Sequence, residues 1–175
     1  MIENMKILVA VRQKNEITNE IFHFMKRFEY KIEITEEKYT DIVKQIHNLN
    51  PDLVISDIGL HEGDGISLLQ ECKKETGRDM KFVFLTDITA QLIIDLAYTV
   101  GADYYFMYNQ EPKFIARILE RILEQHYNEN LQRKQREGMS DEQKQFLFDS
   151  ALENDITKLI REIGIPAHIK GYQYI

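Results

Sequence analysis

Three short apolar runs constrain this chain more than anything else in it. Ile7-Leu8-Val9-Ala10-Val11, Leu53-Val54-Ile55 and Phe82-Val83-Phe84-Leu85 contain no polar residue. A strand with one face in water alternates apolar and polar side chains, but a strand covered on both faces does not need to. The runs therefore predict inner strands of one sheet, with a layer packed on each face. Tyr30-Lys31-Ile32-Glu33-Ile34 alternates instead, as a half-buried edge strand would, and the aromatic Tyr104-Tyr105-Phe106-Met107 supplies a fifth strand.

Between the strands, apolar residues recur every three or four positions, which is the helical period. Asn15 can cap a first helix that carries Ile17, Ile21, Phe24 and Phe28. Thr40 opens a second with Ile42, Ile46 and Leu49 inward, and Pro51 stops it. Ile66 and Leu69 begin a third, which ends by Gly77. Ile93, Leu96 and Val100 mark a fourth, with Gly101 as its C-terminal stop. Pro112 starts a fifth, with Ile115, Leu119, Ile122 and His126 on one face. Five strands alternating with five helices predict an α/β fold with a parallel five-stranded sheet and helices on both faces. The order 2-1-3-4-5 places the alternating second strand at an edge, in agreement with its pattern.

The domain plan is an α/β domain over 1–127, a charged helical extension and linker over 128–145, and a helical segment over 146–175. From Asn128 to Gln145 only Leu131 and Met139 are apolar, and Ser140 with Gln143 forms a capping-box pattern. Leu152, Ile156, Leu159, Ile160 and Ile163 then make a helical face closed by Gly164 and Pro166. A formal net charge of -7 argues against a strongly basic nucleic-acid binder. The single cysteine, Cys72, excludes an intramolecular disulfide and a multi-cysteine metal site, and is read as a core residue. No apolar stretch approaches membrane-spanning length and the N-terminus lacks a signal-peptide pattern, so a soluble cytoplasmic protein is expected. Enzymatic chemistry is not expected. There is no Gly-rich loop after the first strand, no nucleophile–base signature and no histidine pair at metal-ligand spacing.

In open α/β sheets the working crevice lies at the carboxyl ends of the strands. The Leu53–Ile55 run leads to Asp57, just where a glycine-containing loop begins, and Thr86 ends the fourth strand. Asp57, the Asp64-Gly65 pair, Thr86, Tyr105 and the Gly101-Ala102-Asp103-Tyr104 lead-in together resemble the receiver domain of response regulators, which implies a flavodoxin-like fold. The resemblance puts Asp57 at the phosphoacceptor position. Thr86 takes the place of the hydroxyl that bonds a phosphoryl oxygen, and Tyr105 that of the aromatic that reports the switch. Two parts of the family's pattern are missing. An acidic pair that helps hold Mg²⁺ follows the first strand in the family, where this chain has Val11-Arg12-Gln13. A lysine ends the fifth strand in the family, where this chain has Tyr108-Asn109.

Val11 offers no ligand to a hard cation. Arg12, if it points into the crevice, brings a positive charge to the metal's place and favours ionised Asp57 by direct pairing. Without the lysine there is no charge to hold an acylphosphate. The expectation is an atypical pocket of Val11, Arg12, Tyr108 and Asn109, with Mg²⁺ binding weak or lost and no other cofactor. Plainer readings stand beside it. Asp57 is then a surface carboxylate paired with Arg12 or Lys14, Thr86 bonds its own loop, and Tyr105 packs among Tyr104, Phe106 and Tyr108. Asp87 is a candidate replacement for a lost acid. His61 lies in the loop beside Asp57 and carries no assigned role.

Arg161-Glu162-Ile163-Gly164-Ile165-Pro166-Ala167-His168-Ile169-Lys170-Gly171-Tyr172 resembles the opening of the DNA-binding domain of the sporulation master response regulators of endospore-forming Firmicutes. Ile156-Thr157-Lys158-Leu159-Ile160 fits that domain's first helix. The family's helix-turn-helix would lie past Ile175, so DNA is a partner only if the native protein continues. The implied function is an atypical receiver of a sporulation-type transcriptional regulator, controlled by protein association rather than by Asp phosphorylation. Two alternatives are kept: an interaction protein that pairs with a true regulator or kinase without binding DNA, and a conventional phosphorelay receiver phosphorylated on Asp57. Expected partners are a second copy or a related regulator through the face of the fourth and fifth helices, and a histidine kinase or phosphotransferase.

Overall fold

The three apolar runs become the middle of a single sheet. The computed structural model describes residues 5–25, 30–74, 80–137 and 145. The chain divides into two units, Met1–Glu129 and Asn130–Ile175. In the first, β1 (Lys6–Ala10), α1 (Glu16–Met25), β2 (Lys31–Thr35), α2 (Tyr39–Leu49) and β3 (Leu53–Ser56) are followed by a small hairpin of β4 (Gly59–Leu60) and β5 (Gly63–Asp64). Then come α3 (Gly65–Lys74), β6 (Lys81–Thr86), α4 (Gln91–Val100), β7 (Tyr104–Met107) and α5, a helix of 26 residues over Pro112–Glu137 whose residues from Asn130 on belong to the second unit. The main sheet has the order β2-β1-β3-β6-β7 and every pair in it is parallel. This is the doubly wound arrangement expected from the sequence.

Successive residues of the inner strands enter opposite cores. Leu8, Val54, Phe82 and Phe84 pack on one face with Ile42 and Ile46 of α2 and Leu68 and Leu69 of α3. Ile7, Val9, Leu53, Ile55, Val83 and Leu85 pack on the other with Ile21 and Met25 of α1 and Ile115, Leu119 and Leu123 of α5. All of these are buried, so the missing alternation is explained by two covered faces. Edge strand β2 keeps Lys31 exposed and Ile32, Glu33 and Ile34 half-buried.

Helix ends follow the local chemistry. The Asn15 side-chain oxygen accepts bonds from the Thr18 N–H and the Thr18 hydroxyl, each at 2.8 Å, and so caps α1. The second helix starts at Tyr39 rather than Thr40, with Lys38 as an extended cap residue, and Asn50 ends it in the left-handed conformation before Pro51. Gly101, at φ 106°, closes α4.

Helix α4 departs from the expected face. It packs along Ile93, Ala97 and Val100, with Ala97 fully buried, whereas Leu96 is 41% exposed. Ile94 packs on the same core, so the inward line runs from Ile93 and Ile94 to Ala97, one position past Leu96. Steps of three and of four residues both keep to a helical face, and the apolar sequence permits either. The β4–β5 hairpin has no counterpart in the sequence pattern, because two-residue strands leave no periodic signal. Expectations for Phe28, Gly77, Met139, the Ser140–Gln143 cap, the Leu152–Ile163 face and everything from Gly164 onward lie outside the described residues.

Charged residues stand at the amino ends of the sheet. Asp52 accepts the Lys6 N–H at 2.8 Å, and Asp103 accepts the Phe82 N–H at 2.8 Å. The Lys81 ammonium lies 3.6 Å from Asp103 and 3.4 Å from Glu129 of α5. His126 of α5, 1% exposed, brings Nε2 to 3.7 Å from Asp52. Burial pushes the Asp52 carboxyl up, but the bonds and charges of His126 and Lys6 outweigh it, and the group sits below the ordinary carboxylate value.

A carboxyl held low stabilises the fold above its unfolded value of about 3.8. That contribution is lost as the pH falls through the lower folded value. Asp52→Ala is expected to cost about 1–3 kcal/mol at pH 7, less than for a fully buried pair because Asp52 keeps part of its side chain in water. Urea denaturation should show this difference shrinking below pH 3.8. An equal cost at pH 7 and pH 2 would mean that Asp52 acts through packing alone.

Candidate functional site

The carboxyl ends of the inner strands carry the second set of polar groups. Asp57 directly follows β3, and its N–H bonds the Ala10 carbonyl at 2.9 Å, so β1 fixes where the chain leaves the sheet. The Ser56 hydroxyl donates to the Asp57 carbonyl at 2.8 Å, and the Gly65 N–H donates to the Ile58 carbonyl at 2.9 Å. A Cβ on Gly65 would overlap the Asp57 carbonyl oxygen and come within 2.8 Å of the Phe84 ring and 3.0 Å of the Ser56 hydroxyl. Only a residue without a side chain lets α3 start this close to Asp57.

Thr86 ends β6 and is fully buried. Its hydroxyl acts on the Asp57 carboxylate and also accepts the Ile88 N–H at 3.4 Å. Tyr105 on β7 is buried and donates its hydroxyl to the Ile88 carbonyl at 2.9 Å. Thr86 and Tyr105 therefore hold the same loop residue, one by its N–H and one by its C=O.

An open crevice of about 420 Å³ lies at these strand ends, lined by Arg12, Gln13, Lys14, Asn15, Asp57, Asp87 and Tyr108. The structure thus brings together Asp57, Arg12 and Tyr108, as the sequence suggested. Thr86 and Tyr105 do not line the crevice. Val11 is 1% exposed, packs in the core and donates its N–H to the Thr35 carbonyl at 3.1 Å. Asn109 is exposed and is not among the lining residues. Gln13 and Asn15 were not read as site residues; both sit in the β1–α1 loop, where sequence gives no direction.

The electrostatics of Asp57 differ from those expected of a paired carboxylate. Burial pushes its carboxyl above the ordinary value. The Thr86 hydroxyl and the N–H groups of Gly59 and Ile58 offset this only in part, and the charge of Asp87 adds to the rise. Among the described residues no ion pair joins Asp57 to Arg12 or Lys14. The Lys14 N–H instead bonds Glu36 at 2.6 Å, with its ammonium 3.8 Å from the same carboxylate. Neither Arg12 nor Lys14 thus pairs directly with Asp57, contrary to the expectation from sequence. Tyr108 is pushed up to about 12, first by burial and then by the charge of Asp57, while bonds with Asn15 and Thr18 act the other way. Burial, and then Asp57 and Asp87, also push Tyr105 up. His61, from the end of β4, places Nε2 3.0 Å from the Arg12 carbonyl oxygen.

A half-buried aspartate and a buried hydroxyl thus stand at adjacent strand ends of a parallel doubly wound sheet. Residues 10–128 match the family model described as response regulator receiver domain, and the chain belongs to that family. Solved structures share the fold. A CheY-like receiver domain protein from Methanospirillum hungatei is 22% identical, with 73% of this chain and 99% of that one covered and a TM-score of 0.63. A LuxR-family DNA-binding response regulator from Staphylococcus aureus is 18% identical, with coverage of 68% and 98% and a TM-score of 0.61. A two-component response regulator from Clostridium difficile is 22% identical, with coverage of 69% and 96% and a TM-score of 0.60.

A carboxyl held high destabilises the fold at neutral pH, and that cost is relieved as the pH falls through the folded value. Asp57→Asn is therefore expected to raise the midpoint of thermal unfolding at pH 7. The advantage should disappear as the pH approaches the unfolded value of 3.8. A variant less stable than the parent at pH 7 would contradict this account of Asp57.

Proposed function

We propose that this receiver domain, a component of two-component signalling, works atypically and is controlled by association with other proteins rather than by phosphorylation of Asp57. We assign it to a cytoplasmic transcriptional regulator of the sporulation type, resembling stage-zero sporulation protein A. The sporulation assignment rests on the Arg161–Tyr172 stretch, and DNA binding would come with a continuation past Ile175.

The observation that carries the atypical reading is the composition of the crevice wall. Phosphoryl transfer to a carboxylate needs positive charge and a metal at the transferring oxygens. Mg²⁺ wants several oxygen ligands in octahedral geometry. Here the wall offers two carboxylates, Asp57 and Asp87, together with Arg12 and the phenol of Tyr108. Val11, at a position where the family has an acid, is turned into the core. These residues do not fit a Mg²⁺ site of the family's kind. The phenol stands where the family's lysine would, and bonds Asn15 and Thr18 of the β1–α1 region.

A second reading, a conventional phosphorelay receiver that meets a histidine kinase or phosphotransferase, is favoured by one observation. The Thr86 hydroxyl still reaches the Asp57 carboxylate. As to partners, α4 displays Leu92 at 78% exposure with Leu96 and Tyr98, and α5 displays Phe114. This apolar set supports pairing with a second copy or a related regulator.

Incubation with a small phosphodonor and Mg²⁺, followed by intact-mass measurement, is expected to show no stoichiometric gain of a phosphoryl group. Stoichiometric gain that Asp57→Asn abolishes would establish the conventional reading instead. Sedimentation over a concentration series is expected to show a dimer that Leu92→Glu disrupts by at least tenfold in dissociation constant. A strict monomer at high concentration would remove self-association from the proposal.

A further inference from the structure

Arg12 is exposed, yet the loop that carries it is held on three sides. Behind it, Val11 N–H bonds the Thr35 carbonyl at 3.1 Å. Ahead of it, the Lys14 N–H bonds the Glu36 carboxylate at 2.6 Å. From the β4–β5 hairpin, the His61 imidazole Nε2 reaches the Arg12 carbonyl at 3.0 Å. With the carbonyl as acceptor, Nε2 must carry the proton.

The anchor on the His61 side is itself fixed. His61 pairs with Lys38 in an isolated bridge, and its carbonyl accepts the Tyr39 N–H at 2.9 Å. It directly follows β4, whose partner β5 leads into Gly65, the residue pressed on the Asp57 carbonyl. Tyr39 donates its hydroxyl to Glu71 of α3 at 2.6 Å, which ties the start of α2 to the same helix. A hydrogen bond between two loose loops fixes little. One whose donor sits on a braced hairpin fixes the position of its acceptor, and so of the side chain that the acceptor residue carries.

We infer that His61 is a positioning residue that holds Arg12 at the mouth of the Asp57 crevice, and that this placement excludes divalent cations from the Asp57 and Asp87 carboxylates. The inference rests on the atypical reading above and names the group that maintains it. Arg12 lines the crevice; a guanidinium held on that wall would oppose a second cation there, and the opposition would weaken with the side chain in solvent. The Arg12 carbonyl, a hard oxygen of the kind Mg²⁺ takes, is engaged by the imidazole.

The test is Mn²⁺ titration of the full chain, read by the loss of free-ion electron paramagnetic resonance signal. The parent, His61→Ala, His61→Gln and Arg12→Ala are compared, with thermal unfolding as a check that each folds. Gln is chosen because its amide nitrogen can take the place of Nε2–H. The parent should bind weakly, His61→Ala and Arg12→Ala should each bind at least tenfold more tightly, and His61→Gln should return to the parent's value. Asp57→Asn added to His61→Ala should abolish the gain. If Arg12→Ala gains affinity and His61→Ala does not, His61 has no positioning role while the atypical reading stands. If neither gains, Arg12 does not exclude the metal and the inference fails. Tight binding by the parent would overturn the atypical reading itself. If His61→Ala fails to fold, unchanged affinity in Arg12→Ala is enough to reject the inference.

Discussion

Strands with no water on either face have nowhere to put a charged group except at or beyond their ends. This constraint, imposed by the three inner strands, organises the rest of the molecule. Lys6, Asp52, Lys81 and Asp103 collect at the amino ends. Asp57, Thr86, Asp87 and Tyr108 collect at the carboxyl ends. At the amino ends the charges find partners: Asp52 and Asp103 take strand N–H groups, and α5 supplies His126 and Glu129. At the carboxyl ends the central carboxylate is left with a hydroxyl, two backbone N–H groups and a like-charged neighbour. The balance of burial against these partners holds one aspartate low and the other high, and separates the braced end of the sheet from the responsive one.

The same constraint decided what could be read from sequence. Inner strands β1, β3 and β6 follow from apolar runs that two-sided burial demands. The Asn15 cap and the Gly101 stop were legible because each meets a local need, an N–H acceptor and a positive φ. Leu96 was misplaced because an amphipathic helix can present either of two neighbouring lines, and only the partner surface chooses between them. The β4–β5 hairpin is too short to carry a period at all.

The candidate site was legible in part for a related reason. Residues in or next to strands inherit the strand's direction, so Asp57 and Tyr108 could be placed at the same crevice. Loop residues do not. Arg12 was placed at the crevice but given a pairing with Asp57 that the described contacts lack, and Lys14 turns to Glu36 instead. Val11 was grouped with the pocket, yet it continues the core-facing pattern of β1. His61 was noticed for its place in the sequence, but its bond to Arg12 joins residues far apart in the chain, and no local pattern announces it. Structural relatives at about one-fifth identity share the scaffold, which can persist while loop chemistry around Asp57 changes.

The amino ends of the sheet have a consequence for how the strands find one another. Read across the order β1-β3-β6-β7, the residues at the strand starts alternate in sign: Lys6, Asp52, Lys81, Asp103. A misassembled sheet that skipped β3 would set one ammonium against another. One that skipped β6 would set two carboxylates side by side. Within these four strands each correct neighbour brings an opposite charge and, at two of the three junctions, a carboxylate that takes its partner's N–H; the alternation stops at edge strand β2, whose Lys31 pairs with Lys6. Four ordinary charges thus discriminate against the wrong order among strands whose apolar sequences are nearly interchangeable.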